Sequence, residues 1–290
     1  MPDFLSRTFQ PGAITLISGP IPEGDAEDLL SSESSGDDEL LEHAKRLVRN
    51  MEQILGPPAS RDTSLDWVGR EPKAGIDRDI NQALIAGLAE TGLPILSEEQ
   101  DAHRDWRSTS RLWIVDPLDG TLNYVRGTGP CAIAVSLWDA GIPVFGVIYD
   151  IVNRLMAWGG RASGARWEGD SLSVSDTSDL GKAVLCTGIP SSFDFNEQES
   201  RSRLLGTMSL FGKVRMVGSA ASSLLLVARG AADCYFEDEI KIWDVAAGIA
   251  LVEGAGGSYT LTEGKTPTTV GLLASNRALA GKLTSTLTTI

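Results

Sequence analysis

A chain of 290 residues with 42% hydrophobic and 22% charged side chains has the make-up of an ordinary globular protein, with a core sufficient for one large domain or two modest ones. Its formal net charge of −14 argues against nucleic acid and anionic membranes as partners, and no apolar run approaches the length of a membrane span. Three scattered cysteines (Cys131, Cys186, Cys234) and two histidines (His43, His103) exclude a disulfide framework and a His-rich zinc site, pointing to a cytoplasmic setting and to carboxylate chemistry.

Residues 1–36 read as an acidic leader. Residues 21–40 hold eight acidic side chains and no lysine or arginine, so more than half of the net charge is local, in a Ser- and Gly-rich stretch expected to be solvated and partly mobile. No basic segment followed by a continuous apolar stretch opens the chain, so no signal peptide is expected. Asp37 or Asp38 is placed to cap a helix running to about Leu55, with Leu41, Ala44, Val48 and Met51 on one face and Gly56-Pro57-Pro58 as its stop. A second helix is predicted over 79–90, followed by a short strand over 93–96 that ends at Glu98-Glu99.

The next segment, Trp113-Ile-Val-Asp116-Pro-Leu-Asp119-Gly-Thr121-Leu-Asn-Tyr124, is the most informative in the chain. The apolar run 112–115 predicts a buried strand that delivers Asp116 onto a turn stiffened by Pro117, with Asp119 three residues later. Gly120 tolerates the dihedrals of a tight corner, and a helix starting at Thr121 would turn its free N–H groups toward an anion. Two carboxylates held this close need a cation between them. Oxygen-only ligands favour Mg²⁺ over Ca²⁺, and the spaced acids of an EF-hand loop are missing after Gly120. A metal beside an anion cradle suggests phosphate chemistry.

Three strand-like runs follow, 132–138, 143–149 and 154–158, spaced as an antiparallel meander. Gly159-Gly160 and Gly164 break the pattern, and the polar run 169–179 reads as the boundary between an N-terminal α+β half (37–178) and a C-terminal α/β half (179–290). In the second half, strands over 183–187 and 213–217 alternate with helices over 219–229 and 244–253, an α/β arrangement.

Asp116-Pro-Leu-Asp119-Gly-Thr121-Leu-Asn-Tyr closely resembles the signature of the inositol monophosphatase family, Mg²⁺-dependent and lithium-sensitive phosphomonoesterases. Pro94-Ile-Leu-Ser-Glu98-Glu99 upstream, and Gly218-Ser-Ala-Ala221, Trp243-Asp244-Val-Ala-Ala-Gly248, Glu253-Gly-Ala-Gly-Gly257 and Leu272-Leu-Ala-Ser-Asn276 downstream, are similar to further family motifs in the same order. The resemblance covers roughly residues 38–288. It implies a five-layer αβαβα sandwich, a homodimer, and hydrolysis of a small-molecule phosphate monoester by water activated by two or three Mg²⁺ ions. It assigns Glu98, Asp116, the Leu118 carbonyl, Asp119 and Asp244 to the metals, and Gly120 and Thr121 to the phosphate and attacking water. Gly218, Ser219 and Ala220 go to the substrate pocket at a helix start, beside Asp244.

One segment departs from the pattern. Where the family has Val-Thr-x-x-Asp, this chain has Lys73-Ala-Gly-Ile-Asp77-Arg-Asp79, with no threonine three residues before either aspartate. Its distance to Glu98 favours Asp77 as the water-orienting group, with Asp79 second; whether Lys73 replaces the family's upstream lysine stays open. Glu237, seven residues before Asp244, matches the family's carboxylate for substrate hydroxyls. A carboxylate there suits the O–H groups of a sugar or cyclitol phosphate and would repel a second phosphate. The alternatives are a 3′,5′-bisphosphate nucleotidase, whose motifs Pro94-Ile-Leu-Ser-Glu-Glu and Asp116-Pro-Leu-Asp resemble, a fructose-1,6-bisphosphatase, and a non-catalytic scaffold using the acidic leader.

Overall fold

The computed structural model describes residues 27–56, 64–100 and 105–287. Helix α1 (Glu27–Asn50) and the short α2 (Glu52–Leu55) lead into a hairpin of β1 (Asp66–Val68) and β2 (Glu71–Lys73). Helix α3 (Gly75–Ala89) precedes β3 (Ile95–Ser97), β4 (Leu112–Asp119) and the six-residue α4 (Thr121–Arg126). A meander follows: β5 (Ala132–Asp139), β6 (Ile142–Asp150), β7 (Leu155–Gly160), β8 (Gly164–Trp167) and β9 (Asp170–Ser171). The remainder is β10 (Val184–Cys186), α5 (Gln198–Ser209), β11 (Lys213–Arg215), α6 (Ala220–Ala228), β12 (Cys234–Lys241), α7 (Ile242–Gly254), β13 (Ser258–Glu263), β14 (Thr269–Ser275) and α8 (Arg277–Leu287).

These elements stack as the expected αβαβα sandwich. Strands β3 to β9 form a seven-stranded sheet in sequence order, with β3 parallel to β4 and every later pair antiparallel. The second sheet has the order β11-β10-β12-β14-β13, with β10 parallel to both neighbours and β14 antiparallel to both of its own. Leu41, Ala44 and Val48 of α1 and Ile80, Leu84 and Leu88 of α3 pack on one face of the larger sheet against Trp113, Val135 and Val147. Alternate residues of those strands, such as Ile114, Ala134 and Ile148, point to the other face and meet α6 and α7. The smaller sheet covers these helices with Tyr235, Leu272 and Ala274, and its far face buries Leu185, Phe236, Leu279 and Leu283. Side chains alternating across a strand let each sheet serve two layers.

Helix α7 is the central slab. From Ile242 to Val252 every residue but Asp244 is buried, the pattern of a helix enclosed on all sides. Its backbone runs so close to β6 that only glycine fits at 146.

Several elements differ from expectation. Helix α1 begins at Glu27, ten residues before the expected cap at Asp37 or Asp38. Propagation from a formed helix needs only one further hydrogen bond per residue, and acidic residues at the N-terminal end favour its dipole. The rest of the leader (1–26), Pro57, Pro58 and His103 lie outside the described residues. Helix α3 starts at Gly75 and not at 79. The glycines expected to break the meander instead belong to it: Gly159 and Gly160 end β7, and Gly164 opens β8. Among the described residues no helix is long and apolar enough to cross a membrane.

Candidate active site

Strand β4 brings both turn aspartates to one end of the larger sheet. Its pairing with β5 is interrupted between Asp116 and Asp119, so the extra residues bulge outward there. The Leu118 N–H donates to the Asp116 carboxylate (3.0 Å), closing the turn on itself. Gly120 sits at φ 84°, and a Cβ would stand 3.1 Å from the carbonyls of both Pro130 and Gly218. Glycine is required there on both counts. The Thr121 hydroxyl donates to the Leu118 carbonyl at 3.1 Å and lies 3.5 Å from an Asp77 oxygen. Asn123 ties this corner to the other half, donating to the carbonyls of Pro130 (2.9 Å) and Val217 (2.7 Å).

Asp77 occupies the first turn of α3, and one of its oxygens accepts the Ala74 N–H at 2.8 Å. The other oxygen faces Thr121. Burial pushes the Asp77 carboxyl up to about 7, opposed by the Ala74 hydrogen bond and assisted by Glu98. Asp79, the second candidate for this role, is exposed beside Gly75, Ile76 and Arg78, away from the main cleft. Residues two apart on a helix point to nearly opposite sides, so only one of the two aspartates reaches the site. The structure thereby removes Asp79 from the candidate site.

Glu98 follows β3, its N–H bonded to the Val115 carbonyl (3.2 Å). The Lys73 ammonium, from the end of β2, donates to both Glu98 and Glu99, the latter at 2.6 Å. Lys73 thus stands at the acidic pair. Asp119 accepts from the Ser219 hydroxyl and from the N–H groups of Ala220 (3.2 Å) and Ala221 (2.8 Å). Gly218, Ser219 and Ala220 line the cleft, but the donors at the start of α6 serve Asp119. Asp244 projects from the first turn of α7 onto the cleft wall.

Burial, reinforced by Glu98, Asp244 and Asp119, raises the Asp116 carboxyl well above the usual range, and burial with Asp119 and Glu98 does the same for Asp244. Burial raises Asp119 to about 6 even against its three donors. Burial raises Glu98 despite Lys73. Among the described residues no three acidic groups close on one point at ligand spacing as they stand, and Glu98, Asp116 and Asp119 each accept a protein donor instead. The donor set nevertheless fits a hard divalent cation: four carboxylates, from the end of β3, from β4 and from α7, with mutual repulsion that such an ion would relieve.

Across the cleft, whose volume is about 760 Å³, stands Glu237 of β12. It is 6% exposed and accepts the Tyr235 hydroxyl at 2.8 Å. A Cβ on Gly188 would lie 2.3 Å from its carboxylate oxygen, so that loop closes directly on it. Burial lifts Glu237 to about 7, with Asp119 adding to the push. Trp243 walls the cleft beside it.

The sequence reading missed two parts of the wall. The hairpin β1–β2 leans over the mouth, with Arg70 donating to the Phe193 carbonyl (3.1 Å) and Ser191 donating to Glu71 (2.8 Å). The loop 187–192 faces it. Gly69-Arg70 between the short strands was a legible turn signal, but exposed residues on both sides hid it.

The family model for inositol monophosphatases matches residues 37–290, nearly the whole chain. The chain belongs to the inositol monophosphatase family. A protein of Xylella fastidiosa named Nus factor SuhB is 37% identical over 147 residues, 50% of this chain and 53% of that protein, so the match spans about half of that relative's length. An inositol-1-monophosphatase of Rhizobium meliloti is 31% identical over 220 residues, 76% of this chain and 81% of its own. Among solved structures, inositol monophosphatase from Anabaena superposes with a TM-score of 0.72 at 28% identity, covering 88% of this chain and 97% of that one. The family is in general metal-dependent.

Proposed function

We propose that this chain is a Mg²⁺-dependent phosphomonoesterase acting on a sugar or cyclitol phosphate. The observation that carries the reading is the convergence of Glu98, Asp116, Asp119 and Asp244 on one cleft, with the Asp77–Thr121 pair beside them and Glu237 opposite. Two or three Mg²⁺ ions, held by Glu98, Asp116, the Leu118 carbonyl, Asp119 and Asp244, would supply Lewis-acid stabilisation and lower the pKa of water. The protein's own groups do the rest. Thr121, anchored on Leu118, offers its oxygen to hold the attacking water in line, and Asp77 is placed to take up its proton near neutrality. Gly120 and Thr121 position the phosphoryl group at the turn. Buried Glu237 lines the cleft opposite and is placed to accept hydrogen bonds from substrate hydroxyls. Family membership supports lithium sensitivity, a homodimer and a cytoplasmic location as parts of the same reading.

The test is phosphate release with Mg²⁺, with and without Li⁺, on inositol 1-phosphate, hexose phosphates, fructose 1,6-bisphosphate and adenosine 3′,5′-bisphosphate. A Li⁺-sensitive reaction on a polyol phosphate, abolished in Asp116→Asn together with Mg²⁺ binding, is expected. Full activity in Asp116→Asn refutes the site assignment, and preference for the adenosine compound refutes the role of Glu237.

A further inference from the structure

Lys241 ends β12 and stands immediately before α7. The pairing of β12 with β14 is irregular between Glu237 and Ile240, and Glu239 within the irregularity is held at φ 58°. A left-handed backbone at a non-glycine residue persists only where its surroundings over-determine it. Here the Glu239 carboxylate accepts the Lys265 N–H (2.9 Å) and the Thr269 hydroxyl (3.1 Å). The bulge leaves both Glu237 and Lys241 lining the cleft.

Among the described residues no hydrogen bond or close ion pair engages the Lys241 ammonium. It lies 5.5 Å from the centroid of the Trp243 ring, and the charge it moderates is that of Asp244. Exposed Lys265 lines the same cleft, its N–H bonded to the carboxylate of Glu239, two residues before Lys241, and Glu239 is thereby committed to uncharged donors. Unlike Lys73, which is paired with Glu98 and Glu99, Lys241 and Lys265 line the cleft with no ion pair among the described residues. An ammonium has three donors and no acceptor, and its strongest partners are anionic oxygens. Glu237 stands four residues before Lys241 on β12, so a second acidic group held at Lys241 meets a different stretch of the wall from the hydroxyls beside Glu237.

We propose that Lys241, together with Lys265, forms a subsite for a second acidic group, carboxylate or phosphate, on the substrate's ring. This makes phosphorylated sugar acids or sugar bisphosphates better substrates than monophosphates of neutral sugars. The inference deepens the phosphatase reading and rests on it for the position of the scissile phosphate.

A matched set on one scaffold tests it: glucose 1-phosphate, glucuronate 1-phosphate and glucose 1,6-bisphosphate. Each is measured with the full-length wild type, Lys241→Met, Lys241→Arg and Lys265→Met, by equilibrium binding through tryptophan fluorescence and by kcat/KM where turnover occurs. The expected result is that at least one ligand charged at C6 binds about tenfold tighter than glucose 1-phosphate, the size of one charge-assisted hydrogen bond. That preference should collapse in Lys241→Met, shrink in Lys265→Met and survive in Lys241→Arg. The two charged ligands tell a carboxylate subsite from a phosphate one. No charge preference in the wild type, or one that survives both methionine variants at an unchanged melting temperature, overturns the proposal. Charge-dependent binding without phosphate release from any of these ligands supports the subsite, and the phosphatase reading falls only if the inositol, hexose and nucleotide phosphates also release no phosphate.

Discussion

Alanine at position 146 isolates the part of the fold that sets the spacing of the site carboxylates. Gly146 lies in β6 and is not in the left-handed region, so the substitution acts through contact alone. The new Cβ would stand 2.3 Å from the Ala247 carbonyl oxygen and 2.7 Å from the Ala247 Cα. Both are backbone atoms of α7, so no side chain can rotate out of the way. Carbon contacts become comfortable only near 3.5 Å, which requires the helix to withdraw from the sheet by on the order of 1 Å. Overpacking of a well-filled core costs typically about 1–3 kcal/mol, and with backbone on both sides we expect the upper end, about 3 kcal/mol. Asp244 stands one helical turn before Ala247, so the same withdrawal moves it away from Asp116 and Asp119. A misplacement on the order of 1 Å can lower a rate by about a hundredfold. Urea unfolding in EDTA reads the first effect, and Mg²⁺ titration of phosphatase activity reads the second. A variant within about 0.5 kcal/mol of the wild type, or one destabilised with an unchanged Mg²⁺ dependence, refutes the claim that α7 couples packing to the site.

Asp77→Asn should lose at least about a hundredfold in kcat, the scale of a general base, while Asp79→Asn stays near wild type; equal losses would return Asp79 to the site. Asp77 and Glu237, each raised to about 7, and Asp119, raised to about 6, bind more protons in the folded chain than in the unfolded one. Their contribution to stability is complete below about pH 4 and is lost as the pH rises through about 6 to 7, so in EDTA the melting temperature should be lower at pH 8 than at pH 5. Added Mg²⁺ should narrow that difference, and a melting temperature independent of pH in EDTA would contradict the clustering of these acids.

The motifs at 98–99, 116–124, 218–221 and 243–248 were legible because each stands at a strand end or helix start, where local chemistry alone specifies the residue. Strand β12 was not. Its run Cys234-Tyr-Phe-Glu-Asp-Glu-Ile-Lys241 carries four charged residues in eight, a poor strand pattern until one sees that the strand borders a polar cleft. Helix α5 has little apolar periodicity and buries only Thr207, so nothing in its sequence distinguished it from a loop. The helix over residues 27–36 was not legible for a related reason, since short-range composition carries no record of the helix that follows.

By itself the sequence determined the buried strand and the acids at the corner of β4, because periodicity and turn chemistry are local properties, while the order of layers followed from the resemblance of its motifs to a family. Only the tertiary structure decided which aspartate of α3 meets Thr121, that Lys73 reaches Glu98 and Glu99, and that the start of α6 spends its donors on Asp119. It alone placed Lys241 and Lys265 on the wall of one cleft. Those contacts join residues dozens of positions apart, and their geometry follows from how closely α7 packs between two sheets, a constraint that no stretch of chain contains on its own.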